Sequence, residues 1–170
     1  MSRIPLITST DDLDPDGRPA HDRIVESRGE LLRPFQVLLH APHAARQVAD
    51  LGHVLRFASH LADADRELVT LATGRATRCA YVWASHLGAA IAAGVPAAAI
   101  AAVEEGRPAP GEHEAALLAF VDELCHSGTV SDRTFGAVHE LLGTPATVEL
   151  MLVVGYYTML SYVMNGAGAC

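Results

Sequence analysis

The most informative absence in this chain is lysine, because all twelve basic residues among its 170 are arginine. Schiff-base catalysis, pyridoxal phosphate attachment and the phosphate-binding Walker loop each require a lysine amine, so the sequence excludes those chemistries. Aromatic residues are also scarce, at 5% of the chain, although half of all residues are apolar. Alanine supplies much of that apolar share, which suits closely packed helices.

Positive charge, cysteine and long apolar runs are also limited. The net charge of −8 argues against nucleic acid as a partner, since such binding depends on basic side chains that neutralise phosphates. Three scattered cysteines do not make the disulfide framework of a secreted domain. The N-terminal residues show no apolar signal core, and the most apolar run, residues 148–164, is short and polar for a membrane span. We therefore expect a cytoplasmic protein without a membrane partner.

Helical periodicity dominates the chain, and no alternating strand pattern bounded by turns is present. The sequence therefore predicts an all-α fold of about seven or eight helices. Residues 1–20, rich in Asp, Pro and Gly, are predicted to form an irregular, solvated arm, and residues 21–170 a single helical domain. The predicted helices lie near residues 31–40, 42–60, 63–77, 79–93, 96–105, 110–126, 131–143 and 145–165.

The stretch from Asp65 to Pro96 groups reactive side chains at regular spacing. It reads as two helices joined by a tight turn, with Cys79 and His86 on one face of the second helix. If the two helices form an antiparallel hairpin, Glu67 on the first lies roughly level with His86 across the seam. A Glu facing a His in an apolar groove is a workable proton relay.

Each of these residues also has a plainer interpretation. Glu67 suits a surface acid near a helix start, and His86 suits a core histidine with its hydrogen bonds satisfied. Trp83 is typical of a core residue, and Cys79 of a small buried hydrophobe. Spacing alone leaves both interpretations open.

The hairpin sequence RELVTLATGRATRCAYVWASHLGAAIAAGVP resembles the signature hairpin of the carboxymuconolactone decarboxylase family, which includes the alkylhydroperoxidase AhpD-like disulfide reductases. The likeness continues through LLHAPHAARQVADLGHVLRF, EHEAALLAFVDELCHSGTVSDRTF and VGYYTMLSYVMN, and so covers about residues 31–165. The resemblance implies an AhpD-like helical fold with a central helical hairpin. It also implies self-assembly as a homotrimer or a hexamer built from two trimers.

In the peroxidase branch of that family the site is a Glu, a Cys-x-x-Cys pair and a His. Glu67, Cys79 and His86 match three of these positions, but the second cysteine is replaced by Val82. A two-cysteine mechanism needs a resolving thiol with its Cβ about 3.8 Å from that of the first, so the sequence argues against it. A one-cysteine, thiol-dependent peroxidase using Cys79 stays open as an alternative.

The decarboxylase branch works without metal or organic cofactor on a small carboxylated lactone, and this is the function the resemblance favours here. On this chain it implies His86 as proton donor and Glu67 as the partner that orients it or relays the proton. Tyr81 and Trp83 are the predicted pocket walls, and Val82 is a predicted substrate contact that makes the pocket more apolar. Arg75 or Arg78 is the predicted clamp for the substrate carboxylate. Tyr156 is predicted to reach the pocket, a subunit interface or the core.

Two further interpretations complete the set. A helical oligomer that has lost catalysis would serve as a non-catalytic binding protein.

The nine histidines invite a metal interpretation, but Pro42 breaks the geometry between His40 and His43. His53 and His60 lie two helical turns apart and cannot share an ion without another ligand between them. The sequence therefore predicts no metal site.

Overall fold

A computed structural model describes residues 2–170 and contains eight α-helices, two short 3-10 helices and, within that range, no strand. The all-α prediction is confirmed. The α-helices are α1 (Arg18–Arg28), α2 (Arg33–Leu38), α3 (Pro42–Phe57), α4 (Asp63–Ala76), α5 (Ala80–Ala92), α6 (Ala97–Glu105), α7 (Glu112–Ser127) and α8 (Asp132–Ala167).

The described chain divides into two compact units. Residues 2–58 with 162–170 form the first, and residues 59–161 form the second. The predicted single domain, residues 21–170, spans parts of both units, and its boundaries stay a prediction. The hairpin that carries the candidate chemistry lies entirely within the second unit.

In the first unit, the N-terminal stretch is more ordered than the predicted irregular, solvated arm. Residues Thr10–Asp12 and Pro15–Gly17 form 3-10 helices, and the Ser9 side chain caps the first of them. Ile7 and Leu13 are buried in an apolar cluster with residues of α1, α2 and α3. The acidic composition of the segment gave no indication of these contacts. Met1, which belongs to the predicted arm, lies outside the described residues.

The sequence prediction also missed α1. This helix begins with Pro19 in its first turn and ends at Gly29, whose φ of 80° suits a left-handed helix cap. It contributes only two buried residues, Ala20 and Ile24, so its apolar period is too weak to stand out in the sequence.

Helix α4 is the centre of the second unit, and α5, α6 and α7 all contact it. Its residues 66–74 are buried without interruption. Gly74 allows the close approach of α5, since a Cβ there would stand 2.8 Å from Cγ1 of Val82. Ala62 occupies the N-cap position of α4, and Asp63, the first helical residue, accepts a hydrogen bond from Arg66.

The last helical element is interrupted at Gly143, whose φ of 71° and ψ of 172° are not helical. The break agrees with the two separate helices predicted on either side of it. By length and composition alone, α8 is the one helix among residues 2–170 that would suffice to cross a membrane. The core helix of a globular protein passes the same test, so the absence of a membrane partner stays a prediction.

Candidate active site

The α4–α5 hairpin brings Glu67 and His86 into direct contact. His86 Nδ1 lies 2.8 Å from Oε2 of Glu67. The Glu67 side chain is 7% exposed and that of His86 17%, so the pair is sheltered but the imidazole still reaches the surface. The hairpin geometry expected from the sequence therefore places these two side chains together.

The electrostatic surroundings keep Glu67 ionised. Burial raises the pKa of its carboxyl group, but the hydrogen bond and positive charge of His86 and the charge of Arg66 act more strongly in the other direction. The net effect lowers the Glu67 pKa below its usual value of 4.5. At neutral pH the carboxylate is thus an acceptor that fixes His86 with a proton on Nδ1.

Arg66 is a member of this cluster that sequence reasoning missed. It is 8% exposed, its NH1 group donates to Asp63 at 2.7 Å, and its NH2 group donates to Glu67 Oε1 at 3.4 Å. Its Nε is buried without a hydrogen-bond partner. The sequence signal was weak because neighbouring residues on a helix do not normally face each other. The contact between the Arg66 guanidinium and Glu67 forms in the folded structure, where both side chains are buried.

Tyr157 is the second missed residue. Its ring meets the His86 ring edge-on, with centroids 4.9 Å apart and planes at 83°. The predicted contact residue, Tyr156, is buried and packs edge-on against Tyr157 at 5.2 Å. The adjacent tyrosines in the last apolar helix were the available signal, and the choice between them depended on the rotation of α8.

The other predicted hairpin residues differ in access. Cys79 is the N-cap of α5 and is 1% exposed. Val82 is 3% exposed and packs against Gly74 in the seam between α4 and α5. Tyr81 and Trp83 are half-buried. Val82 therefore serves helix packing, and the two aromatic residues keep part of their surface open to a ligand.

Arg75 and Arg78 lie elsewhere. Both line a cavity of about 580 Å³ between α4, α6 and α7, whose lining includes none of the other predicted site residues. Helix α4 thus presents Glu67 toward α5 on one face and Arg75 on another. The structure does not group the proposed carboxylate clamp with the Glu67–His86 pair.

The histidines considered as metal ligands have separate roles. His40 Nε2 contacts the carbonyl oxygen of Pro5 at 2.8 Å, His53 packs on Phe57, and His60 pairs with Glu149. Within residues 2–170 no group of three or more His, Cys, Asp or Glu side chains is arranged to hold a metal ion.

The hairpin lies within a region of the chain that is similar to a known family. The model of the carboxymuconolactone decarboxylase family matches residues 42–123, from the start of α3 into α7. No curated protein matches the chain. The matched region contains Glu67, Cys79 and His86, so this part of the chain is similar to the carboxymuconolactone decarboxylase family.

Proposed function

We propose that the protein is a cofactor-free lyase or isomerase of the carboxymuconolactone decarboxylase type. Its substrate would be a small carboxylated lactone or a related cyclic carbonyl compound. The observation that carries the proposal is the sheltered 2.8 Å contact between Glu67 and His86. A buried, ionised carboxylate that is hydrogen-bonded to an accessible imidazole can carry out acid–base catalysis without a cofactor.

The roles of the two residues follow from their hydrogen bond. With its Nδ1 proton donated to Glu67, His86 has Nε2 left to face a ligand. Protonated His86 can donate from Nε2, and the Glu67 carboxylate then stabilises the imidazolium and fixes its orientation. Glu67 carries out this role while remaining ionised, as its lowered pKa requires.

The proposed reaction balances with one proton, which His86 takes up from water in each turnover. The bond between the substrate carboxylate and the ring breaks, and CO2 leaves. The electron pair moves through the C=C bond to the lactone carbonyl and gives a dienolate. His86 Nε2 then returns a proton to carbon. The Tyr157 ring, which packs against His86, would help to exclude water and favour loss of the charged carboxylate, and Tyr81 and Trp83 stay proposed as pocket walls.

The carboxylate clamp at Arg75 or Arg78 is not part of this mechanism, because those residues line a different cavity. The one-cysteine peroxidase alternative is weakened by the burial of Cys79, since a peroxide must reach the sulfur. Self-association as a trimer or hexamer in the cytoplasm is part of the proposal. It is supported by exposed apolar side chains such as Ile91, which is 62% exposed on α5.

The test is decarboxylation of a carboxylated muconolactone, followed by CO2 release and by loss of its ultraviolet absorbance. We expect Glu67→Gln to reduce turnover by about 100-fold, because the imidazolium loses its ionised partner. Cys79→Ser should retain most of the turnover. If Cys79→Ser abolishes turnover while Glu67→Gln does not, the acid–base assignment is wrong and chemistry at Cys79 is indicated. No turnover by the wild-type protein on lactone substrates would favour the binding-protein alternative.

A further inference from the structure

The cavity between α4, α6 and α7 is separate from the Glu67–His86 pair and has its own chemistry. It has a volume of about 580 Å³, a size typical of small-molecule sites. The turn between α4 and α5, the end of α6 and one face of α7 form its walls.

Positive charge is concentrated in this cavity. Three of the twelve arginines in the chain, Arg75, Arg78 and Arg107, line it, although the chain as a whole carries a net charge of −8. The lining has one acidic residue, Asp122, and its carboxylate is 3.1 Å from His126 Nδ1. A cleft that gathers charge of one sign attracts ligands of the opposite sign.

The guanidinium groups are anchored and still have donors to offer. Arg75 donates Nε–H to the carbonyl oxygen of Glu104 at 3.1 Å, and Arg107 donates Nε–H to Glu105. Arg107 also donates from NH1 to the carbonyl oxygen of Pro108 at 3.5 Å, so each of these two guanidinium groups, with five N–H donors, keeps at least three for a ligand. Arg78 has no ion-pair or side-chain hydrogen-bond partner among residues 2–170 and is the one non-glycine residue there with a positive φ, 54°.

The rest of the lining is apolar. Ala72 and Ala76 of α4, Val103 of α6, and Leu118 and Val121 of α7 face the same space. A free inorganic ion would leave these surfaces unmatched. The apolar lining suits the hydrocarbon part of an organic molecule that also carries a carboxylate or a phosphate. Guanidinium groups bind such oxyanions through paired hydrogen bonds.

We propose that this cavity binds a small organic anion, a carboxylate or a phosphate monoester on an apolar body, through Arg75, Arg78 and Arg107. The site is additional to the Glu67–His86 pair and does not depend on the proposed lyase function. Of the three arginines, Arg78 is the principal anchor, because its guanidinium alone has no side-chain hydrogen bond or ion pair among residues 2–170.

The test is fluorine NMR titration of the full chain with 4-fluorobenzoate, 4-fluorophenyl phosphate and neutral 4-fluorotoluene. We expect saturable binding of at least one anion and binding of the toluene at least about tenfold weaker, since charged hydrogen bonds supply the affinity. Arg78→Asn and Arg75→Gln should each weaken anion binding about tenfold or more. Asparagine is chosen at position 78 because it tolerates a positive φ.

Arg18→Gln is the matched control. It removes one exposed arginine of the other compact unit and should leave binding unchanged. Circular dichroism melting of each variant establishes that it is folded, and the second cavity variant keeps the test valid if the first is not. The proposal is overturned if neither anion binds, if 4-fluorotoluene binds as well as the anions, or if Arg18→Gln weakens binding as much as the cavity variants do.

Discussion

Two glutamate–histidine pairs in the second unit have almost the same local geometry. In both, the histidine Nδ1 lies 2.8 Å from a carboxylate oxygen: His86 with Glu67, and His60 with Glu149. Their surroundings differ. Glu149 also accepts hydrogen bonds from the Ser59 hydroxyl and from the backbone N–H groups of His60 and Leu61. It therefore ties the segment before α4 to α8.

Exposure completes the contrast. The His60 side chain is 68% exposed, whereas that of His86 is 17% exposed and packed against Tyr157. Burial raises the pKa of the Glu149 carboxyl group, but hydrogen bonds from His60, Ser59 and the backbone outweigh it and lower the pKa to about 2. A carboxylate surrounded by backbone donors holds structure in place. The buried Glu67 carboxylate instead binds a partly exposed imidazole, whose Nε2 stays available for chemistry.

The largest expected difference between the pairs is in turnover. His86→Gln should reduce decarboxylation by about 10²- to 10⁴-fold, the usual contribution of a positioned acid–base group. His60→Gln is the control and should leave turnover within about twofold, since an exposed surface pair contributes little. Steady-state kinetics of both variants on the same substrate provides the comparison. Equal losses would place the chemistry outside the α4–α5 hairpin.

The next largest effect is on stability. Glu67→Gln should lower the free energy of unfolding by about 2 to 3 kcal/mol, because His86 loses its charged acceptor and Arg66 keeps only Asp63 as a charged partner. Since the folded pKa of Glu67 is below its unfolded value, the ionised carboxylate stabilises the protein above about pH 4.5 and loses that effect as the pH falls through the folded value. Urea unfolding at about pH 7, 5, 4 and 3 measures the difference in unfolding free energy from the wild type, which should narrow below about pH 4.5. A gap independent of pH would contradict the assigned ionisation.

A third change tests the packing that aligns Glu67 with His86. Gly74→Ala places a Cβ 2.8 Å from Cγ1 of Val82 and 3.4 Å from the Trp83 backbone nitrogen, so α5 must move. We expect the free energy of unfolding to fall by about 2 kcal/mol and turnover to fall as well, because α5 carries His86. The hydrogen bonds of Glu149 should stay in place. Gly88→Ala is the control, because nothing lies within 4 Å of its added Cβ. Thermal melts and kinetics of both variants decide whether close approach at Gly74 matters.

The smallest effect is expected at the structural pair. Glu149→Gln should cost about 1 kcal/mol, the net contribution of an ordinary hydrogen bond, and should preserve turnover. The Glu149 carboxylate stabilises the fold above pH 4.5 and loses this effect as the pH falls toward its folded pKa of about 2. The stability difference from wild type should therefore shrink in acid. A large loss of turnover would mean that the two pairs are coupled through α8.

The helices were readable from the sequence where their apolar spacing was strong. Helices α3 to α7 lie close to their predicted ranges, and the break at Gly143 was expected from the Gly-Thr-Pro sequence around it. Helix α1 was not expected, because only Ala20 and Ile24 of it are buried. The buried positions of Ile7 and Leu13 were also missed, since an acidic segment hides two isolated apolar contacts.

The sequence by itself determined the helical class and the hairpin, because helical periodicity fixes which side chains of one helix share a face. It offered Glu67 and His86 as facing positions on the condition that the hairpin is antiparallel. Tertiary structure decided that Arg66 and Tyr157 join the pair and that Arg75 and Arg78 line a different cavity. Those outcomes depend on the rotation of each helix about its axis and on which side chains are buried together. Spacing along one chain does not contain that information, since it emerges when α4 packs against α5, α6 and α7 at once.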